Sequence, residues 1–74
     1  MKEMPRLISI FQISNEIKDS DAERIVSRLK SLDGITKAQV DVASSVVEVE
    51  YENAIIDRYI IQEELSKLGF DMLI

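Results

Sequence analysis

The sequence contains no cysteine, no histidine and no tryptophan. It therefore lacks thiolate and imidazole groups, the usual soft-metal ligands and the usual catalytic nucleophile and base, and its three methionines are the only sulfur donors. No nucleophile and base can be paired by spacing among the remaining residues, so we expect no enzymatic activity and no cofactor. Proline and glycine are also scarce, at one and two residues, which is typical of an ordered globular domain.

Basic and aromatic residues are few as well. Nine Lys and Arg stand against 14 Asp and Glu, giving a formal charge of −5, and aromatic residues make up 5%. Nucleic acid is a poor match for this composition, since its phosphates need a basic face and its bases need stacking platforms. No apolar run exceeds three residues, whereas a membrane span needs roughly 20. We expect no membrane insertion, and the lack of an export signal favours a cytoplasmic location.

Length limits the number of domains. The chain has 74 residues, 46% of them apolar. A chain this short buries only about 60% of its unfolded surface, which leaves too little for a second core. We therefore expect a single domain spanning residues 1–74.

The first half of the chain predicts a strand and a helix. Residues 7–13 (LISIFQI) are β-branched and aromatic with partial alternation, which favours a central strand. Apolar residues then recur at the spacing of a helix. The spacing of Ser20 and Glu23 is that of a capping box, which would start the helix at Ser20. Gly34 is predicted to end this helix as its C′ residue.

A period of two then predicts a β-hairpin. A turn at Ser44 and Ser45 would place Val42, Val40 and Ala38 opposite residues 47, 49 and 51, with all apolar side chains on one face. The turn lacks the Gly or Asn that a tight hairpin prefers, so a longer loop in the same register is an equal alternative.

The last third predicts a second helix and a short strand. Ile61, Leu65 and Leu68, with Ile60 beside them, form the helix's buried stripe, and Gly69 ends it. Residues 70–74 (FDMLI) are read as a terminal strand. The predicted order is βαββαβ, an α+β ferredoxin-like fold whose four-stranded antiparallel sheet carries two helices on one face.

Several short segments carry a more specific resemblance. They are Leu32-Asp33-Gly34-Ile35, Val40-Asp41-Val42-Ala43, Val47-Glu48-Val49 and Leu68-Gly69-Phe70. Their spacing resembles the heavy-metal-associated domain, a family that includes small copper chaperones, mercury-binding proteins and the N-terminal domains of metal-transporting P-type ATPases. The resemblance extends from about Ile8 to Leu73, and it implies a ferredoxin-like scaffold and a role connected with metal homeostasis.

The resemblance also identifies the family's metal loop. In the family, a Gly-Met-Thr-Cys-x-x-Cys loop before the first helix binds a soft ion through two thiolates. Counting back from Gly34 places Lys18 and Asp21 at the cysteine positions and Glu16 at the methionine, while Ile17 fills the methionine position only if the loop shifts by one residue. Lys is a cation and Asp a hard oxygen donor, so neither suits a soft ion. The resemblance therefore implies a module that has lost its thiolate site.

Carboxylates near the predicted helix start offer an alternative function. Glu16, Asp19 and Asp21 could bind a hard divalent ion or a small ligand weakly through their oxygens. Acidic residues in a first helical turn are also what the helix dipole favours, and no calcium-loop spacing is present.

A possible partner surface follows from the facing of the first strand. If Phe11 points to the helices, Ile8 and Ile10 point outward, and Leu73 joins them from the terminal strand. Glu48, Glu50 and Glu52 border this strip, which predicts a surface for a protein partner or a weak homodimer. The leading hypothesis is an interaction or regulatory module linked to metal transport, and the alternative is the carboxylate binder.

Overall fold

The computed structural model describes residues 6–73. Its elements are β1 (Arg6–Gln12), α1 (Asp19–Lys30), β2 (Ile35–Asp41), β3 (Val46–Glu52) and α2 (Arg58–Lys67). The strands form an antiparallel sheet in the order β1-β3-β2. The architecture is α+β, as predicted. Within residues 6–73 no helix is long and apolar enough to cross a membrane.

Side-chain alternation gives the sheet one buried and one exposed face. Phe11 and Val49 are fully buried, whereas Ile10 and Glu48 on the same strands are exposed. The buried face packs against apolar residues of both helices, and this arrangement removes their side chains from water. The core consists of Phe11, Ile13, Ile17, Ile25, Leu29, Ala38, Val47, Val49, Tyr51, Ile56, Ile61, Leu65 and Phe70.

The predicted fourth strand is reduced to one bridge. Met72 pairs with Ile13, and two backbone hydrogen bonds flank the bridge, from Ser14 N to Asp71 O at 2.9 Å and from Leu73 N to Gln12 O at 2.7 Å. The segment meets only the end of β1, and the predicted last residue, Ile74, lies outside the described residues. The four-stranded prediction is therefore corrected to a three-stranded sheet within residues 6–73, with β1 at one end of its order.

The predicted hairpin register is wrong by two residues. Val40 lies opposite Val47 and Ala38 opposite Val49, so four residues, 42–45, form the turn. The Asp41 carboxylate accepts a hydrogen bond from the Ala43 N–H at 3.1 Å, and Ser45 adopts a φ of 56°. This side-chain bond starts the turn earlier than the serines suggest. A shift of two residues keeps each side chain on the same face of the sheet, so the predicted pattern of buried and exposed residues is still correct.

The ends of α1 also differ from the prediction. The helix begins at Asp19 with Lys18 as N-cap residue, because the Asp21 carboxylate accepts a hydrogen bond from the Lys18 N–H at 3.1 Å. At the other end Ser31 is the C-cap, and Gly34 follows three residues later with a φ of 95°. Gly34 has the positive φ that is common in a C′ glycine, but its assignment as C′ is wrong, because Leu32 follows the C-cap.

The second helix is closer to expectation. Ile61 and Leu65 are fully buried, and Gly69 follows the C-cap with a φ of 97°. Ile60, predicted to be beside the buried stripe, is 45% exposed. The Asp57 side chain caps the helix by accepting hydrogen bonds from the N–H groups of residues 59 and 60, each at 3.0 Å.

Candidate functional site

The loop before α1 holds one apolar side chain in the core. Ile17 is 1% exposed, while Glu16 and Lys18 on either side are exposed. A buried aliphatic residue here anchors the loop beneath the helix start. The position that the resemblance assigns to a packing methionine is therefore served by Ile17 and not by Glu16, which fits the loop shifted by one residue.

The far side of the same loop is tied to the C-terminal segment. The Asn15 carboxamide oxygen accepts a hydrogen bond from the Asp71 N–H at 3.0 Å, and the Ser14 hydroxyl donates to the Asp71 carbonyl at 3.1 Å. These bonds and the buried Ile17 hold the loop at both sides. Positions 18 and 21 consequently lie at a fixed helix start.

Of the three carboxylates in the predicted site, Asp21 takes part in helix capping. One oxygen of Asp21 accepts from the Lys18 N–H, and the other lies 3.5 Å from the Arg24 guanidinium. Glu16 and Asp19 are exposed. Within residues 6–73 no group of three or more acidic side chains is placed to hold a metal ion. Asp21 therefore stabilises the first turn of α1, where a carboxylate also complements the helix dipole.

The outer face of the sheet carries the predicted apolar strip. Ile8 is 60% exposed, Ile10 is 62% exposed and Leu73 is 59% exposed. Leu73 is placed next to β1 by its hydrogen bond to Gln12 O. These large aliphatic side chains form an apolar patch on the outer face. We call Ile8, Ile10 and Leu73 the outer strip.

Carboxylates lie directly beside the outer strip. Ile8 is opposite Glu50 and Ile10 is opposite Glu48 across the β1–β3 pair. The Glu50 carboxylate accepts a hydrogen bond from the Thr36 hydroxyl at 2.7 Å, so one of the two charges is held in place. The surface thus combines apolar contact area with carboxylates, and Lys37 lies opposite Glu50 on the other side of β3.

An ion pair between a buried carboxylate and a half-exposed arginine joins the two helices, and the sequence patterns did not predict it. Glu64 is only 8% exposed, and one of its oxygens lies 2.9 Å from Arg28 Nε and 2.8 Å from an Arg28 terminal nitrogen. The other oxygen lies 3.5 Å from Lys67 Nζ. The hydrogen bond from Arg28 holds the Glu64 pKa below its ordinary value, against the opposing effect of desolvation. Helical spacing alone could have found this residue, since Glu64 lies three positions after Ile61, on the buried stripe.

Comparisons with known proteins identify the scaffold by structure. A scan against protein-family profiles finds no match, and neither does a search of curated protein sequences. Among solved structures, the N-terminal domain of a potential copper-translocating P-type ATPase from Bacillus subtilis in the Cu(I)-loaded state is similar. It is 30% identical, with a TM-score of 0.80, and the match covers 86% of this chain and 80% of that domain.

Two further structures show the same fold. The N-terminal soluble domains of Bacillus subtilis CopA are 30% identical with a TM-score of 0.86, and the match covers 96% of this chain but 48% of that one. This chain therefore spans about half the length of those tandem domains. The CopZ metallochaperone, at 19% identity, has a TM-score of 0.85 over 90% of this chain and 100% of its own.

Proposed function

Because this chain belongs to the heavy-metal-associated domain family and has no cysteine, we propose that it is a protein-interaction module of metal homeostasis. In this role it docks with a metal-transport protein and does not itself carry a thiolate-bound ion. The similar structures are described as a metallochaperone and as N-terminal domains of a copper-translocating ATPase. Their similarity to this chain supports two parts of the proposal, which are a role in metal homeostasis and a cytoplasmic location.

Neither register of the loop places a soft ligand at the family's cysteine positions, which are Lys18 and Asp21 in the register counted from Gly34 and Asp19 and Ala22 in the shifted register that Ile17 fits. This supports a docking role over a carrying role. Lys18 contributes a positive charge that opposes cation binding, and the Asp21 carboxylate already bonds the Lys18 N–H and lies near Arg24. Carboxylate oxygen is also a hard donor, poorly matched to a soft ion. The loop therefore serves the start of α1 in this proposal.

The observation that carries the proposal is the outer strip. Its three aliphatic side chains are each about three-fifths exposed, and two of them, Ile8 and Ile10, lie opposite Glu50 and Glu48. Removing such side chains from water on docking would supply most of the binding free energy, while the carboxylates would orient the partner. A contact of this size is weak, with a dissociation constant on the order of 10 µM or higher.

Amide NMR shifts of the labelled chain test this function, with the N-terminal soluble domains of Bacillus subtilis CopA as the probe. We expect shift changes concentrated at Ile8, Ile10 and Leu73, and their loss in the Ile8→Lys variant. Ile55→Lys is the matched control, because Ile55 is 50% exposed but lies in the β3–α2 connection. Absence of shifts at millimolar probe, or shifts confined to residues 15–21, would overturn the proposed docking surface.

A further inference from the structure

One edge of the sheet is open along a whole strand. β2 lies at the end of the order β1-β3-β2, and within residues 6–73 no strand pairs with it on the side away from β3. The opposite edge is different, because the C-terminal segment already bonds to Gln12 and Ser14 at the end of β1. An unpaired edge presents a row of backbone N–H and C=O groups that can pair with another strand.

The buried side of this edge also offers apolar surface. A shallow groove runs between α1 and β2, with Ala22, Val26 and Val40 in its wall and Glu23 and Ser27 at its rim. The three apolar residues are only half-buried. A strand added beside β2 would cover this groove with its own inward-facing side chains, in addition to pairing its backbone.

The charges on β2 fit a second copy of the same strand. Lys37, Gln39 and Asp41 alternate along β2 on the outer face, and all three are exposed. In an antiparallel pair of identical strands with Gln39 on the two-fold axis, Lys37 of each copy lies opposite Asp41 of the other. Opposite charges directly across a pair of strands stabilise it, and the two-fold axis produces the favourable pairing twice.

A β-bulge sets the length of regular pairing. The register of β2 shifts between Ile35 and Lys37, and bulges of this kind interrupt edge pairing. Residues 37–41 remain regular, and Gln39 is the centre of that stretch. The bulge and the self-complementary charges therefore point to the same axis.

We propose that the β2 edge binds a second copy of this chain, through an antiparallel β2–β2 pair centred on Gln39 that joins the two sheets into one. The contact is short, so the expected dissociation constant is on the order of 100 µM or higher. This inference does not depend on the metal pathway. It also leaves the outer strip accessible, because edge pairing at β2 does not cover the outer face of β1.

Single cysteines provide a sharp test, because the chain has none of its own. Two Gln39→Cys residues would face each other across the axis, within the Cα separation of about 4.4–6.8 Å that a disulfide requires. Glu48→Cys is the matched control: Glu48 is exposed on the same face, opposite Gln39 on β3. Its two copies would be three strand spacings apart, about 14 Å, and could not be bridged. In a glutathione redox buffer we expect at least tenfold more disulfide dimer from Gln39→Cys.

Charge reversal tests the register of the same dimer. Adding Lys37→Glu or Asp41→Lys to Gln39→Cys should lower the dimer yield about three- to tenfold, because like charges then lie opposite. Mixing the two double variants should restore it as a mixed dimer, with circular dichroism confirming that each is folded. Equal yields from Gln39→Cys and Glu48→Cys, or no recovery on mixing, would overturn the proposal. A larger yield from Ile10→Cys would also overturn it, by placing the second copy on the outer strip.

Discussion

The two glycines share a backbone conformation but differ in their surroundings. Gly34 has a φ of 95° and Gly69 a φ of 97°, a region that L-residues enter at a cost of roughly 1–2 kcal/mol. A Cβ atom at Gly34 would lie 2.8 Å from a methyl carbon of Ile56 and 3.0 Å from Ile55 Cβ, whereas nothing lies within 4 Å at Gly69. Only Gly34 therefore combines strain with a steric clash.

We predict that Gly34→Ala lowers the free energy of unfolding more than Gly69→Ala does. The backbone cost is common to both variants, and overpacking against the buried Ile56 adds about 1–3 kcal/mol at position 34. Urea denaturation of the two variants measures the difference. Equal losses would show that the β3–α2 connection moves aside freely, and that the close packing around Gly34 does not contribute to stability.

Between elements, the Arg28–Glu64 pair joins α1 to α2. Because the folded pKa of Glu64 lies below its ordinary value of 4.5, its stabilising contribution is present above that value. The contribution is lost as the pH falls through the lower folded pKa. We predict that Glu64→Gln removes this part of the acid sensitivity, so that the variant loses less stability than the parent chain between neutral pH and pH values below 4.5.

Glu63→Gln is the matched control for that experiment. The Glu63 side chain is 70% exposed and lies 3.9 Å from Lys67 Nζ, and a surface pair of this kind contributes little. Its unfolding free energy, measured by urea at a series of pH values, should follow the parent curve. If Glu64→Gln also follows the parent curve, the helix pair is not coupled through this carboxylate.

The sequence predicted helices and strands correctly where the burial of apolar side chains determines them. The alternation in β3 and the apolar spacing of α1 follow from burial, and both were predicted. The hairpin turn depends on a carboxylate bonding its own backbone, between Asp41 and Ala43, and the start of α1 depends on the similar bond from Asp21. Such local hydrogen bonds can shift the end of a helix or strand by one or two residues from where its secondary-structure propensity would put it. Sequence patterns therefore predict the bounds of the turn and of α1 poorly.

For the whole molecule, the spacing of the family segments predicted the scaffold better than any single residue predicted a site. The resemblance to the heavy-metal-associated domain is confirmed by the similar structures. The sequence alone leaves the loop register open between two alternatives, because Glu16 and Ile17 can only be distinguished by which side chain enters the core. Ile17 does so at 1% exposure. The contact between Glu64 and Arg28 could not be predicted, because the two residues lie 36 positions apart, on different helices.

Two cysteines in the loop before α1 should restore the family's metal chemistry. Lys18 and Asp21 lie at the N-cap and in the first turn of α1, close enough for the Asp21 carboxylate to bond the Lys18 N–H. Cysteines three residues apart at a helix N-terminus can face one ion, and the helix dipole favours their thiolates. In the register counted from Gly34, we predict that Lys18→Cys with Asp21→Cys binds Cu(I), while either single variant does not, because one thiolate leaves the ion without its second soft ligand.

Competition against a chromogenic Cu(I) chelator under reducing conditions measures these variants beside the pair Asp19→Cys with Ala22→Cys. The second pair has the same spacing but begins one residue later, as the buried Ile17 would require if the family register followed it. Binding by the first pair alone places the ancestral site at Lys18 and Asp21, and binding by the second pair alone shifts it by one residue. If neither pair binds copper, two thiolates are present without the geometry to hold an ion. This chain would then share the scaffold of the metal-binding domains but not the conformation of their metal loop.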